Sequence, residues 1–341
     1  MLNTIYRLVE PRRFEMAFTD IDMTGDKVVV RPTYLSICNA DQRYFQGKRD
    51  PDVLAKKLPM ALIHEGIGEV LYDPEGKIER GTPVAMIPNT PCEKDEIIAE
   101  NYLRSSKFRA SGFDGFMQDY VPMDQDRIVV LPEGLDPEVA SFTEFTSVCW
   151  HAIDRFQKIA HARREAIGIW GDGNLAFTVA LFLKYREPQA KLYIFGKHND
   201  KLEKFSFAEG TYHINQIPED MTFDHAFECV GGMGSARAIN QIIDYIKPEG
   251  TIGIMGVSEE LAPINTRMVL EKGLRIFGSS RSGRPEFEGV LDFYKREPSA
   301  VGYLRRIVGE VIDVREMEDF TRAFEADIHK ADGKTVMIWN K

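Results

Sequence analysis

An α/β chain in two parts, a mainly antiparallel β unit and a doubly wound parallel sheet, is the fold class that this 341-residue sequence predicts. Three observations carry that expectation. Up to about residue 140 short β-runs alternate with turn residues, and from about residue 165 onward strand-like and helix-like stretches alternate. The first strand of the alternating half also runs directly into a glycine-rich turn and then into a helical pattern. The length exceeds what one hydrophobic core usually serves, so two domains are expected.

The β-runs come in the order KVVVRPTYLSI, LIHEGIGEVLY, TPVAMIPN, FMQDYVPM and RIVVLPE. Pro137 then opens a helix through EVASFTEFTSVCWHAIDRF, where apolar positions recur at helical spacing. The alternating half reads EAIGIWG and LAFTVALFLKY, KLYIFG and NDKLEKFSF, DHAFECVG and GSARAINQIIDYI, then GTIGIMG and LRIFGSS. That order calls for parallel strands joined by crossover helices. The tail, VGEVIDV, MEDFTRAFEADI and KTVMIWN, returns to mixed strand and helix and is expected to rejoin the first domain. The expected division is therefore 1–143 with 284–341 against 144–283.

Composition removes several classes of function. With 43% hydrophobic and 28% charged residues and no apolar stretch of membrane length, the chain reads as a soluble protein without a membrane span. The start MLNTIYRLVEPRRFE lacks the pattern of a secretory signal, so a cytoplasmic location is expected. A net charge of -10 with dispersed basic residues argues against nucleic acid as a partner. Cys38, Cys92, Cys149 and Cys229 stand far apart, which fits neither a disulfide framework nor a four-cysteine zinc lobe.

In IGIWGDGNLAFTVALFL, Gly171 permits a tight turn, Gly173 lets backbone approach a pyrophosphate, and Asn174, Leu175 and Ala176 open a helix close to the sheet. The helix N-terminus offers free N–H groups to phosphate, so a dinucleotide is the expected cofactor. Roughly twenty residues on, where an acidic side chain usually takes the ribose hydroxyls, stand Gly196, Lys197 and His198. Lys197 suits a 2'-phosphate, which favours NADP(H); Asp200 nearby keeps NAD open, and Lys201 is a second cation there. The ends of the later strands place Val230, Gly231 and Gly256, and the segment Ser279 to Ser282 with Arg281, along the same cofactor edge.

A second constellation lies in the β-rich half. YLSICNADQRYF places Cys38 and Asp41 in a turn after a strand, ALIHEGIGEV sets His64 beside Glu65 before a Gly-x-Gly turn, and Glu144 sits on the helix after Pro137. Thiolate, imidazole and carboxylate together suit a catalytic zinc with an open position. Singly each has a plainer role, as a small buried thiol, a hydrogen-bonded histidine, a turn aspartate and a helix-surface glutamate.

Taken in this order relative to the glycine turn, these residues resemble the zinc-dependent medium-chain dehydrogenase family over essentially the whole chain. The resemblance implies a GroES-like catalytic domain, a Rossmann nucleotide domain, one catalytic zinc per chain and a homodimer. It implies Cys38, His64 and either Glu65 or Glu144 as metal ligands, and Asp41 as the carboxylate that orients the histidine. The use of Glu144 is nearer the polyol dehydrogenase branch. Two departures stand out: NTPCEKDEIIAENYLRSSKFRASG has a single cysteine where the family has a structural-zinc lobe, and Ala40 replaces the usual hydroxyl two residues after the ligand cysteine. A water, a cofactor ribose hydroxyl, Glu65 or Tyr44 then has to serve the proton relay.

A finer resemblance rests on SICNADQRYFQGKRD, LIHEGIGEV, MIPNTPCEKDEIIAENY, GFDGFMQDYV, GIWGDGNL, FDHAFECVGG and GSSRSG. These are similar to the ribulose-5-phosphate reductases that supply ribitol phosphate for CDP-ribitol and teichoic acid or capsule synthesis. That resemblance implies D-ribulose 5-phosphate as substrate and a ribitol-5-phosphate cytidylyltransferase as a possible partner. Arg43 and Arg109 lead the candidates for the substrate phosphate, ahead of Lys48, Arg49, Arg104 and Lys107. The alternatives are a polyol dehydrogenase acting on an unphosphorylated sugar and a dinucleotide-binding scaffold without catalysis.

Overall fold

Val28, Val29 and Val30 are completely buried in the computed structural model, which describes all 341 residues, and the strand they open is the hub of the larger β-sheet. That sheet has seven strands. In order they are Ile128–Val130, Pro83–Met86, Glu65–Tyr72, Val28–Ser36, Lys334–Trp339 and Val308–Val314, with Val121–Met123 also pairing to Val28–Ser36. Its pairs are antiparallel except the last, where Val308–Val314 and Lys334–Trp339 run parallel around the helix Met317–His329. A smaller sheet adds the hairpin Leu2–Glu10 and Arg13–Asp20 and the short strand Met60–Ala61. Aromatic side chains fill the space beneath, with Phe45 stacked on Phe324 at 4.7 Å and Phe320 on Trp339 at 5.3 Å. Such pairs add about 1 kcal/mol beyond their area burial.

The N-terminal hairpin has no counterpart in the strands read from sequence. Its two-residue loop is Pro11–Arg12, with Arg12 at φ +66° in place of the Asn-Gly or Asp-Gly that advertises such turns. The helix expected from Pro137 is two helices, Pro137–Ala140 capped by the Asp136 carboxylate and Thr143–Ile159.

The chain divides into Met1–Ser147 with Ser282–Lys341, and Val148–Arg281. The sequence-based divisions after 143 and 283 are thereby shifted. The cause lies in the first turn of Thr143–Ile159, where Thr146 accepts a hydrogen bond from Tyr294 (2.7 Å) and the Ser147 hydroxyl bonds that of Ser282 (2.6 Å), within the first unit.

The second unit holds a six-stranded sheet, parallel throughout, in the order Gly210–His213, Lys191–Gly196, Ala166–Trp170, Phe223–Glu228, Ile246–Ile254, Arg275–Gly278. The order reverses at Ala166–Trp170, and crevices at such a reversal, beyond the carboxyl ends of the strands, are where α/β sheets bind ligands. The helix Ser235–Tyr245 buries Ala238, Ile239, Ile242 and Ile243, one stripe at helical spacing, against Trp170, Phe195 and Phe223. The stretch NDKLEKFSF forms a helix only over Asn199–Leu202. No helix of the chain is long and apolar enough to cross a membrane.

One buried imidazole makes this unit acid-sensitive. The Thr251 N–H donates to His225 Nδ1 at 3.1 Å while Nε2 faces the Arg163 carbonyl at 3.1 Å, an arrangement that suits the neutral ring protonated on Nε2. Burial, and then the His161 ring 4.2 Å away, push its pKa down to about 4. The unfolded chain, with an ordinary histidine near pH 6.5, therefore takes up the proton first. Stability from this group is complete above about pH 6.5 and is lost as pH falls from there toward about 4. A His225→Gln protein should show a flatter dependence of thermal midpoint on pH across that window, measured by differential scanning fluorimetry.

Candidate metal centre and nucleotide turn

Cys38 stands where strand Val28–Ser36 gives way to helix Asn39–Phe45, as the residue that caps the helix. Its backbone N–H donates to Asp41 Oδ2 at 3.2 Å. The other Asp41 oxygen accepts from the Ile63 N–H at 3.0 Å and lies 3.4 Å from His64 Nδ1. One buried carboxylate thus joins the cysteine turn to the histidine. Ile63 has φ +69°, which for a β-branched residue costs of the order of 1–2 kcal/mol, and that left-handed kink turns the chain immediately before His64.

Cys38, His64 and Glu65 bring donor atoms within 4.8 Å of one another, a separation that a shared cation, about 2.0–2.3 Å from each, would close. Burial works against the His64 imidazolium, but Asp41 and Cys38 outweigh it and hold the pKa well above the usual histidine value. Burial raises the Cys38 thiol pKa, with His64 acting in the opposite direction. A metal at this place must therefore displace protons, as thiolate and imidazole sites do.

The two candidate carboxylates are not equivalent. Glu65 is completely buried and faces a buried cation that sequence reading did not single out: Lys334 Nζ donates to Oε1 at 3.0 Å and lies 2.8 Å from Oε2 without an aligned hydrogen bond to it. Lys334 also sits over the Phe145 ring at 4.7 Å, and Glu65 and Cys38 outweigh its burial to raise its pKa. The only sequence signal for it was its place in the tail strand, 269 residues from its partner. Glu144, in the first turn of Thr143–Ile159, is buried with no ion-pair partner for its carboxylate, and burial pushes its pKa up to about 7.

One sequence expectation needs correction here. Gly66 and Gly68 form no turn beside the metal pocket; they lie within the strand Glu65–Tyr72, where a Cβ would meet Leu35 Cδ2 at 2.5 Å and the Arg31 carbonyl oxygen at 2.4 Å. They permit close pairing with Val28–Ser36. The Arg109 guanidinium donates from its two terminal nitrogens to the carbonyls of Asp114 (3.2 Å) and Pro122 (2.7 Å), its Nε has no partner, and burial lowers its pKa to about 10. The stretch around Cys92 is organised without a cysteine cluster: Glu100 accepts from Arg127 Nη1 at 2.7 Å and from the Arg284 N–H at 3.1 Å.

In the second unit the glycine turn follows Ala166–Trp170. Gly171 has φ +134°, and a Cβ on it would meet the Cys229 carbonyl oxygen at 2.9 Å; a Cβ on Gly173 would meet nothing within 4 Å, the open space that a phosphate cradle requires. Asn174 and Leu175 begin the helix Asn174–Arg186. Lys197, Val230, Gly256 and Ser279 all follow carboxyl ends of the parallel strands. Buried Glu228, another residue missed from sequence, receives the N–H groups of Val230 (3.0 Å), Gly231 (2.8 Å) and Gly256 (3.1 Å), and Ser279 keeps a buried hydroxyl with no partner. A carboxylate does reach the end of Lys191–Gly196, against the reading from local sequence. It is Asp172 of the glycine turn, which accepts from the Lys197 N–H (2.7 Å), the His198 N–H (2.9 Å) and the His198 ring (2.9 Å). Gly196 makes room for it, since a Cβ there would lie 2.6 Å from Asp172 Cβ.

The Lys334–Glu65 pair sets the cost of disturbing this centre. Lys334→Met leaves a buried carboxylate without its cation and should lower stability by about 3–5 kcal/mol, read from urea unfolding, while Lys334→Arg should lose less.

Comparison with known proteins accords with this geometry. Residues 24–133 match the model of the alcohol dehydrogenase GroES-like domain, and residues 189–296 match that of the zinc-binding dehydrogenases. The chain is 55% identical to a ribulose-5-phosphate reductase of Bacillus spizizenii and 53% identical to ribulose-5-phosphate reductase 1 of Staphylococcus aureus, over 99% of each chain in both cases. The solved structure of S. aureus TarJ in complex with NADPH superposes with a TM-score of 0.91 at 48% identity over the full length of both chains. The L-idonate 5-dehydrogenase of Escherichia coli shares the fold (TM-score 0.87) at 18% identity over 99% of both chains. The chain is a member of the zinc-dependent medium-chain dehydrogenase family, in the branch it forms with these ribulose-5-phosphate reductases.

Proposed function

We propose that this protein is an NADPH-dependent reductase that converts D-ribulose 5-phosphate and a proton into D-ribitol 5-phosphate, with oxidised cofactor as the second product. The observation that carries the reading is a half-buried thiol with a buried imidazole and carboxylate, their donor atoms within 4.8 Å of one another and the histidine oriented by a carboxylate, in a chain 55% identical over its length to a ribulose-5-phosphate reductase. Zinc held by this set supplies Lewis acidity at the C2 carbonyl of the ketose. Asp41 faces Nδ1 of His64, so Nε2 is the nitrogen with a lone pair for the metal. Gly173 and the helix start at Asn174 and Leu175 receive the cofactor pyrophosphate, and Lys197 the 2'-phosphate. Val230, Gly256 and Ser279 line the nicotinamide end. Ala40 carries no hydroxyl, so water, a cofactor ribose hydroxyl, Glu65 or Tyr44 passes the proton to the product oxygen.

Charge balance favours Glu144 over Glu65 as the third ligand. Glu65 is already neutralised by Lys334, whereas Glu144, outside the 4.8 Å set of Cys38, His64 and Glu65, and the Cys38 thiol would each give up a proton to a dication with no cation of their own to displace. Glu144→Gln should weaken zinc retention by about 100-fold or more, beyond the loss expected for a group that only orients a ligand, and Glu65→Gln should retain close to one zinc per chain by mass spectrometry of the metal content. The reverse ranking would make Glu65 the ligand.

The reading extends to the setting of the reaction. A cytoplasmic location and an associated cytidylyltransferase that consumes ribitol 5-phosphate for CDP-ribitol and teichoic acid or capsule synthesis follow from the resemblance. A homodimer through the edge strand Arg275–Gly278 is supported by exposed Ile276 there and by exposed Val257, Leu261 and Leu270 in the same unit. The deciding measurement is the initial rate with NADPH and NADH on D-ribulose 5-phosphate and on D-ribulose, before and after chelation. The expected result is fast, chelator-sensitive turnover with NADPH and the phosphorylated ketose; equal rates on both ketoses would remove the phosphate from the proposal.

A further inference from the structure

Where the second strand of a Rossmann sheet ends, an acidic side chain usually takes the ribose hydroxyls of NAD, and a cation there suits the 2'-phosphate of NADP instead. In this chain that strand is Lys191–Gly196, and Lys197 and His198 follow it. The acid that does reach the strand end spends one of its oxygens on the protein. Asp172 Oδ2 accepts from the Lys197 N–H at 2.7 Å, from the His198 N–H at 2.9 Å and from His198 Nδ1 at 2.9 Å. A carboxylate only accepts, so Nδ1 carries the proton of that bond. Burial works against the Asp172 charge, but the N–H groups of His198 and Lys197, and then the His198 ring, outweigh it and lower the pKa. An oxygen engaged three times by its own chain is not left for a ribose hydroxyl.

His198 is held from both sides. Gly196 admits the carboxylate, since a Cβ there would lie 2.8 Å from Asp172 Oδ2. Beyond it, the His198 carbonyl accepts from the Lys201 N–H (3.1 Å) and the Leu202 N–H (3.0 Å), and the Leu202 side chain is buried. The backbone is thereby fixed, while the His198 side chain stays 56% exposed and so within reach of a ligand. We infer that His198 is a cofactor-specificity residue, donating from Nε2 to the 2'-phosphate beside Lys197, and that Asp172 is the residue that positions it. An imidazolium bound to Asp172 through Nδ1 presents its second N–H to another anion, and its charge offsets the repulsion that the carboxylate would exert on a phosphate. The hydroxyl that NADH carries at the same place gives the ring no charge to meet, so the contact separates the two cofactors. This assignment rests on the cofactor reading above, in which Lys197 takes the 2'-phosphate.

The test is fluorescence titration of NADPH and NADH, without ketose, into the zinc-loaded full chain and its variants His198→Gln, Asp172→Asn, the two combined, and Lys197→Gln. Loss of one charge-assisted contact should weaken NADPH binding by about 10-fold in His198→Gln and change NADH binding far less. Asp172→Asn keeps an acceptor for the loop N–H groups but not the charge that holds the ring, so it should weaken NADPH in the same direction. The combined variant should lose no more than the worse single one, because the two residues act as one unit. Retained NADH binding shows that each variant is folded. Undiminished NADPH affinity in His198→Gln, or equal losses for both cofactors, overturns the assignment. Tighter NADPH binding in Asp172→Asn overturns it too, since the carboxylate would then repel the phosphate rather than hold its ligand. If Lys197→Gln also leaves NADPH binding unchanged, the strand end is not the 2'-phosphate site and the cofactor reading itself fails there.

Discussion

Asp41 is the constraint on which the metal centre depends. Its carboxylate receives the N–H of Cys38 on one oxygen and the N–H of Ile63 on the other, and the second oxygen also faces the His64 ring. Without that bridge, the cysteine at a helix start and the histidine before a strand would have no common reference. The left-handed backbone at Ile63 is tolerated because its N–H is held by Asp41 and its carbonyl by the Phe116 N–H at 2.7 Å. Strain of this kind persists only where the surroundings over-determine it, and here it aims a candidate ligand.

Around that bridge the charges divide into two sets. Glu65 and Lys334 form a closed ion pair in the interior, whereas burial holds the Cys38 thiol and the Glu144 carboxyl above their ordinary pKa values. Burying an ion pair has little net effect on stability, whereas leaving a buried charge alone is costly. The nucleotide turn follows a related logic. Asp172 and Glu228 are carboxylates that bind backbone N–H groups of neighbouring strand-end loops, so they shape the cofactor edge from within.

Much of the fold was legible from pattern. The alternation of apolar strands with helices after residue 165 becomes a parallel sheet whose order reverses at the strand before the glycine turn. The hairpin at the N-terminus was not legible, because Pro11–Arg12 lacks the residues that usually mark a two-residue turn. In the metal centre, Cys38, Asp41 and His64 could be read because chemistry and short spacing coincide there. Arg109 shows a limit of such reading: the main-chain carbonyls of Asp114 and Pro122 that its guanidinium reaches leave no trace in the local sequence.

By itself, then, the sequence determined the donor chemistry, the glycine turn and the alternating fold, since each depends on residue type and on spacings within one or two elements. Tertiary structure decided which groups compensate which. Lys334 meets Glu65 across 269 residues, and Asp172 reaches the strand end 25 residues away where Gly196 leaves it room. Electrostatic compensation acts through space at a few ångströms, and no local pattern in a chain records which distant strand will supply the partner.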